Sequence, residues 1–406
     1  METDGAQPRG PPRWGTAGEN LRKPQCSERR YVIEIETKAR GGPTQGGSVM
    51  RGIQNPALHK AAVVLLTALG LALACASERG MDPEPERYRL YVSTTSWNSR
   101  VYVVDTETDS LIDSTMATDG STAWGDVTPD GRYVLRHSYP LCTEVLDAAT
   151  LTKVKDLPGC ALFPAFAIDD GLILGTHSTG QIDIISYPEL SLADTDTIVL
   201  EGNPRTRRPL VDPSRDLVYF ALFYGEGQVD RVELLAWDYV RRQIQDQWDL
   251  PVNRFTIAPG TSRLYAIVGN AVLSYDLSSR TVLWQQPILT EFGCVQLTPD
   301  GRELWRSDRG NVFFPRISGY VYIHDPQSGV VTDSISLFGY LSETAPLPGG
   351  EIVFTPDGRK AYVATSHISY SAGPVLVIDV ATREVLKLLF DDFRHYPDHL
   401  SIGPAP

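Results

Sequence analysis

Seven residues stand at one equivalent place ahead of a recurring turn: Trp124, Pro164, Arg208, Arg254, Cys294, Glu351 and His399. Two histidines, His137 and His177, fall four residues after Tyr133 and Ile173, and Asp308, Arg309 and His367 close the corresponding segments elsewhere. If short strands bring these positions to one level, a single mouth collects imidazole, guanidinium, carboxylate and thiol groups, and a ligand is to be sought there. Arg208 and Arg254 suit an anion held by bidentate hydrogen bonds, or they form ion pairs with Glu351 that satisfy the interior. His137 and His177 read either as a metal pair or as surface-loop histidines, and no metal is assigned to them. His399, His137 and Glu351 are the candidate general bases of a hydrolase. The basic run Arg205-Thr-Arg-Arg208 reads as a solvated loop.

Louder catalytic motifs are missing from the sequence. It holds no Gly-x-Ser-x-Gly elbow, no His-Glu-x-x-His and no phosphate loop. No Cys-x-x-Cys or Cys/His cluster marks a zinc or haem site, and no cofactor is expected.

The elements that must position these residues are legible in their turns. Val127-Thr-Pro-Asp-Gly-Arg-Tyr133, Leu297-Thr-Pro-Asp-Gly-Arg-Glu303 and Phe354-Thr-Pro-Asp-Gly-Arg-Lys360 are nearly the same, with weaker copies at Val211, Ile257 and Ala167. Proline presets φ, aspartate bonds nearby N–H groups and glycine takes the left-handed position, so each copy predicts a hairpin. A second motif follows each of these, an alternating strand ending at Asp105, Asp147, Asp238, Asp276, Asp325 or Asp379. Ile182-Asp-Ile-Ile-Ser-Tyr187 fills the remaining place without its aspartate, and the seven copies recur every 38 to 54 residues. These aspartates are turn-formers. Period-2 strands grouped in fours at this spacing predict propeller blades; a two-sheet sandwich would not repeat one turn chemistry in one order.

The first motif has six internal copies and the second seven. The first blade therefore lacks an inner strand, and His399-Leu-Ser-Ile-Gly-Pro404, which aligns with Trp124-Gly-Asp-Val-Thr-Pro129, supplies it. The predicted fold is all-β: a seven-bladed β-propeller over residues 88–406, with the C-terminal strand completing the first blade and removing exposed sheet edges.

These segments resemble the YVTN-repeat propellers, whose repeat runs as Ser-Pro-Asp-Gly, then Tyr-Val, then Val-Ile-Asp-x-x-Thr. Tyr362-Val-Ala-Thr and Val377-Ile-Asp-Val-Ala-Thr-Arg-Glu-Val are the closest copies, and the resemblance covers about residues 88–404. It implies a WD40/YVTN-like ring. It leaves activity open, because that superfamily includes lactonases, subunits of quinoprotein dehydrogenases and cell-surface binding proteins.

Composition sets the outer limits. Of 406 residues 42% are hydrophobic and 21% charged, which excludes wholesale disorder and a multi-span membrane protein. The net charge is −13; without residues 1–75, which carry 10 basic and 6 acidic side chains, it is −17. Such a surface disfavours general nucleic-acid binding.

One stretch, residues 61–74, is uniformly apolar over 14 residues, short of the roughly 20 needed to span a bilayer. Arg51, His59 and Lys60 precede it and Cys75 follows, the layout of a secretory signal. With that cysteine it resembles a bacterial lipoprotein signal, which implies lipidation of Cys75; the plainer alternative is a signal peptide with Cys75 there by chance. Met50 gives this signal a normal length, so residues 1–49, rich in Pro and Gly, read as a mis-called or disordered extension. Residues 50–75 are then the signal and 76–87 a polar tether. Ala76 is not the aspartate that retains such lipoproteins in the inner membrane, which favours the outer membrane. Cys142 and Cys160 are read as a disulfide formed after export or as buried free thiols.

The expected protein is a monomeric, lipid-anchored envelope propeller that binds without catalysing. Its partner is an unidentified protein or a small anionic ligand, and the lipid anchor is its only membrane contact. Loops carrying Phe313-Phe314-Pro315 and residues 338–349 would supply aromatic anchors. The alternative is a lactonase-type hydrolase working through the ionisable groups of the mouth.

Overall fold

Strands that are apolar on both faces must be covered on both sides. In Tyr88–Thr94, Leu90 and Val92 pack into one hydrophobic cluster and Tyr91 into another. The same division recurs round the molecule. Among the described residues there are seven such clusters, each built from two adjoining sheets. The computed structural model describes residues 87–94, 100–116, 123–138, 143–157, 163–167, 170–176, 181–197, 205–206, 209–224, 231–252, 254–288, 293–308, 319–337, 340, 347–366, 373–390 and 397–406. These belong to the compact unit Gly80–Pro406. The segments expected to be the extension, the signal ending at Cys75 and most of the tether lie outside the described residues, as do Cys142 and Cys160.

Blade 1 combines Pro397–Pro404, Tyr88–Thr94, Arg100–Asp105 and Ser110–Met116. Blade 2 runs Ala123–Val127, Tyr133–Ser138, Thr143–Asp147 and Lys153–Asp156, and blade 3 Phe163–Ala167, Leu172–Thr176, Gln181–Ser186 and Ser191–Thr197. Blade 4 holds Leu217–Tyr224, Arg231–Asp238 and Gln243–Trp248 behind an interrupted inner strand, Arg205–Thr206 and Leu210–Asp212. Blade 5 runs Arg254–Ile257, Arg263–Val268, Ala271–Asp276 and Thr281–Pro287. Blade 6 is Gly293–Leu297, Leu304–Asp308, Tyr320–His324 and Val331–Ser336, and blade 7 Leu347–Phe354, Lys360–Ser366, Val375–Asp379 and Val385–Leu389. All sheets are antiparallel, and the fold is a seven-bladed β-propeller. Fourth strands such as Ser110–Met116 and Val331–Ser336 are mostly exposed. Among the described residues no helix is long and apolar enough to cross a membrane.

Ring closure follows the predicted strand exchange. The C-terminal strand pairs with Tyr88–Thr94 from Tyr88↔Pro404 to Ser93↔His399. Two departures from the expected boundaries stand out. Arg205 and Thr206 are not solvated loop but a strand fragment, paired with Phe223 and Leu222. Residues 347–349, expected in a loop, belong to the inner strand of blade 7.

Turn chemistry explains why seven copies were visible. In the three Thr-Pro-Asp-Gly turns, the threonine hydroxyl donates to the aspartate Oδ1 at 2.6–2.7 Å, and glycine sits at φ 70–71°. After the third strand, Oδ1 of Asp105, Asp147, Asp276 and Asp325 accepts from the backbone N–H groups two and three residues on. The residue four positions after each motif aspartate, or after Ser186 in blade 3, is left-handed in all seven blades, at φ 50–73°. Each of these hairpins also carries a bulge, which sharpens the twist of the blade.

Candidate functional site

The inner strands do bring ionisable residues together, and the closing strand stands at the centre. His399 on blade 1 points Nε2 at Asp126 Oδ1 of blade 2, 2.8 Å away, and Nδ1 at Glu351 Oε2 of blade 7, 3.0 Å away. Glu351 Oε2 also accepts the Leu400 N–H at 2.8 Å, and Oε1 lies 3.8 Å from Arg254 of blade 5. An imidazole facing two carboxylates satisfies both only with a hydrogen on each nitrogen. One positive ring and one guanidinium then balance two carboxylates, a charge pattern that can remain largely buried. Arg254 is the open member, its side chain 34% exposed against 7% for His399.

Local sequence explains how Glu351 reaches this place. Blade 7 carries Pro348-Gly-Gly-Glu351, and its pairing slips between Pro348↔Thr365 and Ile352↔Val363. A Cβ on Gly350 would lie 2.6 Å from both Cβ and the carbonyl oxygen of Ala364, so only glycine allows this irregular stretch to press on the second strand. Ser307 Oγ of blade 6 donates to the Gly350 carbonyl at 3.1 Å and accepts the Cys294 N–H at 3.0 Å. Cys294 is buried, and its Sγ lies 3.7 Å from the Val295 carbonyl oxygen.

Trp124 and His137 form a cross-strand pair within blade 2, with rings 6.2 Å apart and 24° from parallel. His137 is buried in a strand, which removes the surface-loop reading given to it. Pro164 pairs with Gly175 in blade 3. His177, Arg208, Arg309 and His367 lie outside the described residues. Among the described residues no group of three or more His, Cys, Asp or Glu side chains is arranged to hold a metal ion.

Asp126 is the residue that sequence reasoning missed. It stands one residue before the end of its inner strand, where the other Pro-Asp-Gly blades have Gln296 and Val353. A lone aspartate at a position otherwise neutral was the available signal.

No protein-family model matches the sequence. Eukaryotic translation initiation factor 3 subunit I of Scheffersomyces stipitis is 26% identical over 152 residues, 34% of this chain and 41% of that protein. The chain thus matches about two fifths of that relative's length. Among solved structures, dihydro-heme d1 dehydrogenase NirN in complex with DHE superposes with a TM-score of 0.52 at 17% identity, covering 78% of this chain and 75% of that one. At that identity the likeness is one of fold.

Proposed function

We propose that the protein is an exported, lipid-anchored propeller of the cell envelope that binds a partner without catalysing a reaction. The observation that carries this reading is the fate of His399 and Glu351. Both ring nitrogens of His399 face carboxylates, and Glu351 accepts from the closing strand, so two of the three candidate general bases are used to join blades 1, 2 and 7. A ring with a hydrogen on both nitrogens has no lone pair to offer a substrate, and Glu351 Oε2 already accepts from His399 and the Leu400 N–H. Support for export comes from the apolar run ending at Cys75, and the outer membrane is the destination that Ala76 favours. The partner would engage the segment Phe313-Phe314-Pro315, which lies outside the described residues.

The test combines two measurements on the full chain expressed in a bacterial envelope. Palmitate labelling that disappears in Cys75→Ala, together with one protein crosslinked through the 313–315 segment, is the expected result. Lactone hydrolysis by the purified protein, lost in Glu351→Gln with the fold intact, would overturn the non-catalytic reading. A second reading is supported by Arg254, whose guanidinium is half-buried at the same level as His399 and Glu351 and would bind a small anionic ligand by charge-assisted hydrogen bonds. Native mass spectrometry of the full chain would show such a ligand as extra mass that is lost on unfolding.

A further inference from the structure

Blade junctions on the turn side of the ring are filled differently. At the junction of blades 2 and 3, the Tyr133 and Tyr187 rings meet edge to face, 6.2 Å apart, and the Tyr187 hydroxyl bonds Asp130. At the next junction Tyr239 takes the place of Tyr187 and donates to Asp170 Oδ2 at 3.0 Å. The position is the same in each case: the residue after the third strand, whose N–H donates to the carbonyl preceding the second strand, as in Tyr187 to Gly171 and Tyr239 to Asp216. In blade 5 the equivalent N–H is that of Leu277, bonded to Ser262. Facing it from blade 4 is Leu217, which pairs with Asp238 as Tyr133 pairs with Asp147.

Two leucines therefore stand where the 2/3 junction has two tyrosines, and a cleft of about 320 Å³ remains. Tyr219 and Trp248 line it, with ring centroids 6.4 Å apart. Its polar rim holds Arg215, Asp238, Arg241 and Asp246. Arg215 Nε donates to Asp212 at 2.8 Å, while its Nη2 is buried with no hydrogen-bond acceptor in place. A buried guanidinium N–H in that position favours an incoming oxygen.

We propose that the cleft between blades 4 and 5 binds a phenol ring from another molecule, which takes the place that blades 3 and 4 fill with Tyr187 and Tyr239. The ring would lie between Leu217 and Leu277 over the Tyr219 and Trp248 rings, an arrangement aromatic groups favour. Its oxygen would accept from Arg215, and its O–H would donate to a rim carboxylate. A free phenolic compound and a tyrosine side chain of a partner share this chemistry.

The probe is 4-fluorophenol, followed by fluorine NMR on the full chain. Saturable broadening is expected, with affinity at least tenfold weaker in Leu277→Tyr, whose own ring fills the cleft. Arg215→Gln, at the partly exposed rim, is expected to weaken 4-fluorophenol several-fold and leave fluorobenzene unchanged. Displacement by acetyl-Gly-Tyr-Gly-amide at a tenfold lower concentration than by p-cresol identifies a partner's tyrosine as the source; equal potency identifies a free phenol. Binding unaffected by Leu277→Tyr in a protein that still melts cooperatively, or no saturable binding to wild type, would overturn the proposal.

Discussion

The closure of the ring and the junction of blades 4 and 5 solve the same packing problem by different means. At closure the C-terminal strand is held by directional polar bonds. His399 bridges Asp126 and Glu351, Ser401 Oγ accepts the Val127 N–H and donates to the Gly125 carbonyl, and Ser93 Oγ accepts the Gly125 N–H at 2.7 Å. On the turn side Asp109 of blade 1 takes the Tyr362 hydroxyl at 2.8 Å and Lys360 at 2.7 Å from blade 7. At the 4/5 junction the core cluster is apolar; the Trp248 Nε1 bond to the Leu277 carbonyl at 3.2 Å crosses it inside, and Arg280 bonds Asp246 and the Gln247 carbonyl at the exposed edge. The difference follows from connectivity. Blades 4 and 5 are consecutive in the chain, so their neighbourhood is given by a short link. The closing strand arrives from the far end of the chain and must be told where to stop; hydrogen bonds specify a position in a way apolar contact does not. Where connection does that work the polar bonds can be dispensed with, and the 4/5 junction lacks the tyrosine–aspartate bond that the 2/3 and 3/4 junctions keep.

Breaking the closure network tests this contrast most severely. His399→Ala leaves two buried carboxylates without their shared partner, and removal of one member of a buried pair typically costs about 3–5 kcal/mol. Urea unfolding of the full chain should show a loss in that range. A loss under about 1 kcal/mol would mean that apolar packing of Leu400, not the polar network, holds the strand.

A matched pair of glycines sharpens the same point. Gly131 and Gly260 both occupy left-handed turns, at φ 71° and 69°. A Cβ on Gly131 would meet the Pro404 carbonyl oxygen of the closing strand at 2.3 Å, whereas on Gly260 the nearest atom, Ser214 Oγ, is 3.9 Å away. Gly260→Ala should cost about 1 kcal/mol for the left-handed backbone alone, and Gly131→Ala a further 1–3 kcal/mol or so for displacing the strand. Equal costs in thermal unfolding would show that closure tolerates a shift of its last residues. At the other junction the sign reverses: Leu277→Tyr should stabilise by about 1 kcal/mol, the usual gain from filling a cleft, and calorimetry would register it as a higher Tm.

How far these features could be read in advance depended on whether they repeat. The blade count was legible because Asp105, Asp147, Asp276, Asp325 and Asp379 each build one turn by the same local bonds, a chemistry contained within four residues. The level of His399, Glu351 and Arg254 was legible from the same offsets. That His399 would be shared between Asp126 and Glu351 was not, since it depends on contacts between blades 273 positions and 48 positions apart in sequence. The Gly349-Gly350 pair before Glu351 was a visible sign of an irregular strand, but its meaning needed Ala364 beside it. The cleft was the reverse case. Leu277 in the column of Tyr187 and Tyr239 stands open in the sequence, and only the turn alignment gives it significance.

The smallest predicted effect concerns pH and again separates the two regions. Asp276, beside the cleft, accepts bonds from the Ser278 and Ser279 N–H groups and from the Ser278 and Ser262 hydroxyls. The Ser278 hydroxyl bond foremost, and these other bonds with it, lower its carboxyl to about 2. A carboxyl whose folded value lies below the unfolded one, near 4, stabilises the fold fully above pH 4 and loses that contribution as pH falls toward 2. Thermal unfolding of wild type should therefore weaken across that window, and Asp276→Asn should flatten part of the slope, modestly because the group lies at the surface. His399→Asn removes no turn carboxylate and should leave the same portion of the slope in place. If instead His399→Asn flattened the window and Asp276→Asn did not, acid sensitivity would belong to the closure, and the turns would be passive links between blades.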